Sequence, residues 1–116
     1  MKRMIPLLLL ALCAPAWSQA WPTRPIRIVV PFPAGGATDT YGRYFGQRYT
    51  EALGQQVIVE NRPGAGGNIG AAAAAQAAPD GYTLHFGAQT VSTNPTLAPS
   101  TAFDPVTIFE PIMQIG

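Results

Sequence analysis

Residues 21–116 contain no cysteine and no lysine, because Cys13 and Lys2 both precede them. Without cysteine, no disulfide braces this part of the chain. Without lysine there is neither a P-loop lysine nor a Schiff-base lysine. Histidine is nearly absent too: His85 is the only one, and it sits in an apolar run where a satisfied structural role is expected. No His, Cys, Asp and Glu residues fall at metal-ligand spacing, so no metal site is expected, and no cofactor either. The motif G-x-S-x-G is missing, which excludes a nucleophile-elbow hydrolase. Charge is sparse at 11%. Five arginines (Arg24, Arg27, Arg43, Arg48, Arg62) face six acids (Asp39, Glu51, Glu60, Asp80, Asp104, Glu110) in residues 21–116, a net charge of −1. Such a surface is a poor electrostatic partner for nucleic acid or an anionic membrane.

Long hydrophobic runs are also lacking. The longest apolar stretch, Ile5 to Ala14, is short for a membrane span and is interrupted and followed by Pro6 and Pro15. With Lys2 and Arg3 before it and Ser18-Gln19-Ala20 after it, it reads as a cleavable signal peptide, residues 1–20, cut after Ala20. A retained anchor is the alternative. Cys13 invites a lipoprotein reading, but Leu12 occupies the place where a small residue is wanted. Export to the periplasm is therefore expected.

What is present points to a packed α/β domain. Twelve glycines and twelve prolines cluster at turns, which argues against disorder. Ile26 to Phe32, "IRIVVPF", predicts a buried parallel strand that stops at Pro31 and Pro33. Thr38 to Gly54 predicts a helix whose apolar row is Tyr41, Phe45, Tyr49 and Leu53, with Gly54 as its stop. Gln56 to Glu60 predicts a second strand. Ile69 to Ala78 predicts an alanine-rich helix able to lie close to a sheet. Tyr82 to Phe86 predicts a third strand, Gly87 to Thr101 a polar loop, and Phe109 to Ile115 the start of a fourth strand. Alternation of strands and helices implies a parallel sheet with right-handed crossovers and helices on both faces.

Ligands of open parallel sheets bind beyond the carboxyl ends of the strands. Three such ends carry chemistry. The first is Pro33-Ala34-Gly35-Gly36-Ala37-Thr38-Asp39, where glycines admit a ligand to the backbone and a helix start offers unpaired N–H groups. The alternative is that Thr38 or Asp39 merely caps the helix over a tight turn. The second is Asn61-Arg62-Pro63-Gly64-Ala65-Gly66-Gly67-Asn68, which repeats the design. It is not a dinucleotide fingerprint, because Ile69 stands where G-x-G-x-x-G needs its last glycine. Two glycine-rich helix starts suit a small carboxylate better than a pyrophosphate. The third is the loop after Phe86, whose Gln89, Thr90, Ser92 and Asn94 are neutral hydrogen-bonding groups, or else an ordinary polar loop.

With those residues in view, the chain resembles a known family. "WPTRPIRIVVPFPAGGATDTYGR", "VIVENRPGAGGNIGA", "PDGYTLHFG", "NPTL" and "FDPVTIFEPI" are similar, in order and spacing, to the Bug proteins, the extracytoplasmic solute receptors of tripartite tricarboxylate transporters. The resemblance covers residues 21–116. It implies a monomeric periplasmic protein of two α/β domains in the type II binding-protein arrangement. A hinge joins them, and a small organic acid is captured between them for a membrane permease. It implies a carboxylate held by main-chain groups of the two glycine loops. Those positions here are Phe32, Ala34, Gly35, Gly36, Thr38 and Asp39, then Gly66, Gly67 and Asn68, with Gln89 and Thr90 from the third loop. It implies that Asp39 can meet the amino group of an amino-acid ligand, while Tyr41, Arg43 and Tyr44 pack or face solvent. Family members have the length of two domains, so residues 21–116 read as the first part of domain one, with the second domain and hinge absent. Two readings compete with a receptor: an exported enzyme acting on a carboxylate with Asp39 as general base, and a fragment or stand-alone interaction domain.

Overall fold

The computed structural model describes residues 20–89, 92, 93, 96 and 104–115; the expected leader, up to residue 19, and Thr90 lie outside the described residues. The order is β1 (Ile26–Val30), α1 (Ala37–Leu53), β2 (Val57–Asn61), a 3₁₀ turn (Ala65–Gly67), α2 (Asn68–Ala75), β3 (Thr83–His85) and a one-turn helix α3 (Pro105–Ile108). The three strands form a parallel sheet in the order β2-β1-β3. β1 is central because it is the most uniformly apolar and β-branched segment, and Ile26, Ile28, Val29 and Val30 are all buried.

The β1-to-β2 and β2-to-β3 crossovers run in opposite directions across the sheet, so right-handed connections place the two helices on opposite faces. The packing agrees. On α1, Gly42 lies against Val30 and Gly46 against Ile28, Val57 and Val59. On α2, Gly70 lies against Pro31, whose neighbours on that face of the strand are Val29 and Arg27. The inner edge of α1 thus consists of Asp39, Gly42 and Gly46, all buried, with Phe45 and Tyr49 flanking it. Tyr41, expected in the inner row, is half exposed. The glycines let the helix backbone approach the sheet, which rotates the aromatic row outward. That signal was in the sequence as small residues at an i, i+4 interval.

The elements are shorter than expected at most ends. β1 stops at Val30, where Arg62 donates its N–H to the Val30 carbonyl at 2.8 Å and Pro31 then offers no N–H. Gly54 ends α1 in the left-handed conformation, its N–H bonded to the Thr50 carbonyl at 3.1 Å. α2 stops at Ala75, not Ala78: the Gln76 N–H still bonds the Ala72 carbonyl at 3.0 Å, but the Ala77 N–H tightens onto the Ala74 carbonyl at 3.1 Å. The fourth strand is not formed: among the described residues, Phe109 to Ile115 has no regular structure. Pro111 interrupts the donors an added strand would need. The segment instead runs past β3, stacking Phe109 on His85 and bringing Ile115 to Tyr41 and Phe45.

At the opposite end of the sheet, the segment before β1 is tied to the turn before β3. The Thr23 N–H donates to the Tyr82 hydroxyl at 2.8 Å, the Arg24 guanidinium lies 4.0 Å from the Tyr82 ring centre, and Arg24 pairs with Asp80 at 2.7 Å. Tyr82→Phe removes the hydroxyl while keeping the ring. It should lower the melting temperature of the complete gene product by only about 2–4 °C in a calorimetric scan, because the bond is solvent-exposed.

Candidate functional site

The carboxyl ends of β1 and β2 are knitted together by one buried carboxylate. Asp39, in the first turn of α1, is 3% exposed. Its Oδ2 accepts the Gly35 N–H at 2.8 Å and Arg43 Nε at 3.0 Å. Its Oδ1 accepts Asn61 Nδ2 at 2.9 Å. Asn61 Nδ2 also donates to the Phe32 carbonyl at 3.0 Å, and Arg43 Nη2 donates to Asn61 Oδ1 at 3.1 Å. Bonds from Arg43, from the Gly35 amide and from Asn61, in that order, hold the Asp39 carboxyl down at about 2. A carboxyl held that low is a weak base, and in this structure Asp39 ties the two loops together. Gly35, at φ +87° where glycine is favoured, has its N–H committed to Asp39.

The rest of the first loop behaves as an open helix start. Gly36 is the N-cap in extended conformation, with no side-chain cap. The first intrahelical bond runs from the Thr40 N–H to the Gly36 carbonyl at 2.9 Å. The amides of Ala37 and Thr38 therefore have no helical acceptor and point out of the positive end of a 17-residue helix. Neither Thr38 nor Asp39 caps the helix as the simpler alternative held.

Ala37 and Thr38 border a cavity of about 1030 Å³, together with Tyr41 from α1, His85 to Gln89 after β3, and Ser92 and Met113 to Ile115. Of the expected site residues, Thr38 and Gln89 meet here. Phe32, Asp39 and the exposed Ala34, Gly35 and Gly36 do not wall this cavity, nor do Gly66, Gly67 and Asn68 of the neighbouring turn. That second turn is a helix start of the same kind: Gly67, at φ +96°, is the N-cap of α2 without a side-chain cap.

Tyr41 and His85 are among the wall residues that sequence reasoning did not single out. Tyr41 was masked by its place in the apolar row. His85 was expected to be satisfied; instead Nε2 is buried with no hydrogen-bond partner, while the ring stacks on Phe109 with centroids 4.9 Å apart. Burial lowers the His85 pKa to about 4. The unfolded chain then takes up a proton before the folded one does. Stability contributed above pH 6.5 is lost as the pH falls from 6.5 to 4, by about 3 kcal/mol in total. Denaturant titrations of His85→Leu should lack that loss between pH 6.5 and 4.

Comparison with known proteins places this geometry in context. The family model described as "Tripartite tricarboxylate transporter family receptor" matches residues 42–116. A UPF0065 protein of Bordetella bronchiseptica is 44% identical over 109 residues, 92% of this chain and 32% of the relative. Among solved structures, the periplasmic binding protein BugD is 42% identical with a TM-score of 0.72, over 79% of this chain and 31% of its own. An R. palustris protein solved with adipate is 40% identical with a TM-score of 0.72, over 75% of this chain and 29% of its own. The chain thus spans about a third of the length of the curated relative.

Proposed function

This chain belongs to the tripartite tricarboxylate transporter receptor family, and from that premise we propose that it captures a small organic carboxylate in the periplasm for a membrane permease. The observation that supports the reading is the uncapped start of α1, whose first amides have no helical acceptor and whose residues Ala37 and Thr38 border the same cavity as Gln89. Partial positive charge at a helix start holds a carboxylate without any catalytic side chain. The solved neighbour with adipate supports an organic acid as ligand.

In this reading residues 1–20 are removed on export, and residues 21–116 form the first part of the first of two domains. The ligand meets the main chain of Ala34, Gly36 and Thr38. Gly66, Gly67 and Asn68 face it from the second turn, and Gln89 and Thr90 from the third loop. Phe32, Gly35 and Asp39 hold the floor. The enzyme reading loses its base, because the Asp39 carboxylate already accepts three hydrogen bonds.

Thermal-shift screening of the complete gene product against small organic acids tests this. A ligand at a hundredfold excess over its Kd stabilises by about 2.7 kcal/mol, a shift of several degrees. A broad acid panel that leaves the melting temperature unmoved contradicts the receptor reading.

A further inference from the structure

Resting on the receptor reading, we infer that Arg43 is a positioning residue of the anion site: acting through Asp39, it cancels the negative charge built into the first turn of α1 and so lets that helix start accept a carboxylate. The ground is a conflict inside the site. Asp39 ties the loops by accepting three hydrogen bonds on two oxygens, which a carboxylate offers and an amide does not. The same carboxylate is badly placed for an anionic ligand. It lies about 1.5 Å further along the helix axis than Thr38 and about 3 Å further than Ala37. It is buried, so water and salt screen it little. An organic acid at that helix start meets a like charge, which opposes the positive end of the helix.

Arg43 resolves the conflict from one turn further on. Its Nε donates to Asp39 Oδ2 at 3.0 Å and its Nη2 to Asn61 Oδ1 at 3.1 Å. With the bond from Asn61 Nδ2 to Asp39 Oδ1 at 2.9 Å, the three side chains close a ring in which each is bonded to both others. The ring fixes the Asn61 amide so that Nδ2 serves Asp39 and the Phe32 carbonyl. Arg43 does not border the cavity, so its charge reaches the ligand by way of Asp39.

The neighbouring charges have other partners: Arg27 and Arg62 pair with Glu60, and Arg48 with Glu51. His85, which borders the cavity from β3, is neutral at pH 5 and above. Arg43 is the largest influence holding the Asp39 carboxyl down. Once Arg43 is removed, burial and a bound anion both push that carboxyl up. Binding then draws a proton onto Asp39, more readily as the pH falls.

Calorimetric titration of the complete gene product and its variants with adipate, at pH 7 and pH 5, reads this directly. Arg43→Gln should bind adipate about tenfold or more weakly than the unmutated protein at pH 7. The deficit should narrow to about threefold or less at pH 5, where Asp39 of the unmutated protein is still ionised. Protonation of adipate itself is common to both proteins and cancels in the ratio. Arg43→Lys keeps the charge within reach of Asp39 and should stay within about threefold at both pH values. The melting temperature of Arg43→Gln should fall by about 4 °C or less, since the Gly35 and Asn61 bonds to Asp39 remain. A deficit equal at pH 7 and pH 5, as a purely structural role gives, overturns the inference; so does Arg43→Gln binding normally at pH 7. Should Arg43→Gln fail to accumulate, Arg43→Lys decides alone, and a tenfold loss there overturns it. Each of these outcomes leaves the receptor reading standing. If adipate does not bind the unmutated protein, the tightest acid of the panel replaces it; if no acid binds, both readings fall together.

Discussion

Gly70→Val should prevent the complete gene product from accumulating as a folded, soluble protein. A Cβ built at Gly70 lies 2.7 Å from both Cα and Cβ of Pro31 and 2.8 Å from the Arg62 carbonyl oxygen. Two of those three atoms are backbone and the third belongs to a proline ring, so none can swing aside. α2 would have to lift from β1 at the point where the first glycine loop begins and the second leaves β2. Overpacking of this kind costs about 3 kcal/mol or more, a large share of the roughly 5–15 kcal/mol that holds a typical domain together. Gly42→Ala meets the end of a side chain instead, Val30 Cγ2 at 2.9 Å. A rotamer change relieves it, so its cost should be clearly smaller. Chemical denaturation of Gly70→Ala beside Gly42→Ala measures the difference. Equal midpoints for the two would show that α2 does not pack against β1 as described.

Asp39→Ala should reduce affinity for any carboxylate ligand by about a hundredfold and lower the melting temperature by about 5 °C or more. The substitution removes the acceptor of three hydrogen bonds and leaves the Gly35 amide, Arg43 and the Asn61 amide without their shared partner. The loop that shapes the start of α1 then loses its tether to β2. Asn61→Ala breaks the same tether from the other side, removing bonds to Asp39 and to the Phe32 carbonyl. The two losses should overlap, so the double variant should be little worse than either single one. Acid dependence gives a second test. The Asp39 carboxyl is held at about 2 when folded, against 3.8 when free. Its contribution is full above pH 3.8 and lost as the pH falls from 3.8 to 2. Asp39→Asn should remove that acid limb and leave the His85 limb, between pH 6.5 and 4, in place.

The strand–helix alternation was legible because it rests on local composition. β-branched residues at Ile26–Val30, an amphipathic run closed by Gly54, and proline stops each announce themselves within a few residues. The facing of α1 was misread because an aromatic row normally dominates burial; here Gly42 and Gly46 set the contact, and closeness of backbone outweighed side-chain size. The expected fourth strand failed for a different reason. Apolar composition at Phe109–Ile115 does not specify a pairing partner, and the segment found side chains on both faces of the sheet instead. Of the residues that motif and resemblance single out, Thr38 and Gln89 border the cavity and the second glycine loop does not. The role of Asp39 was not legible: its partners Arg43 and Asn61 lie four and twenty-two residues away, and only the fold brings the distant one into reach. His85 and Tyr41 share that limit, since a cavity wall is a property of three dimensions.

Backbone amide shifts of the ¹⁵N-labelled complete gene product, followed while a saturating organic acid is titrated in, bear most directly on how the site works. The amides of Ala37 and Thr38 should move the most, in step with occupancy, and the Gly35 amide should stay close to its free position because Asp39 already holds it. Saturable binding that leaves Ala37 and Thr38 unmoved would contradict a carboxylate held at the start of α1.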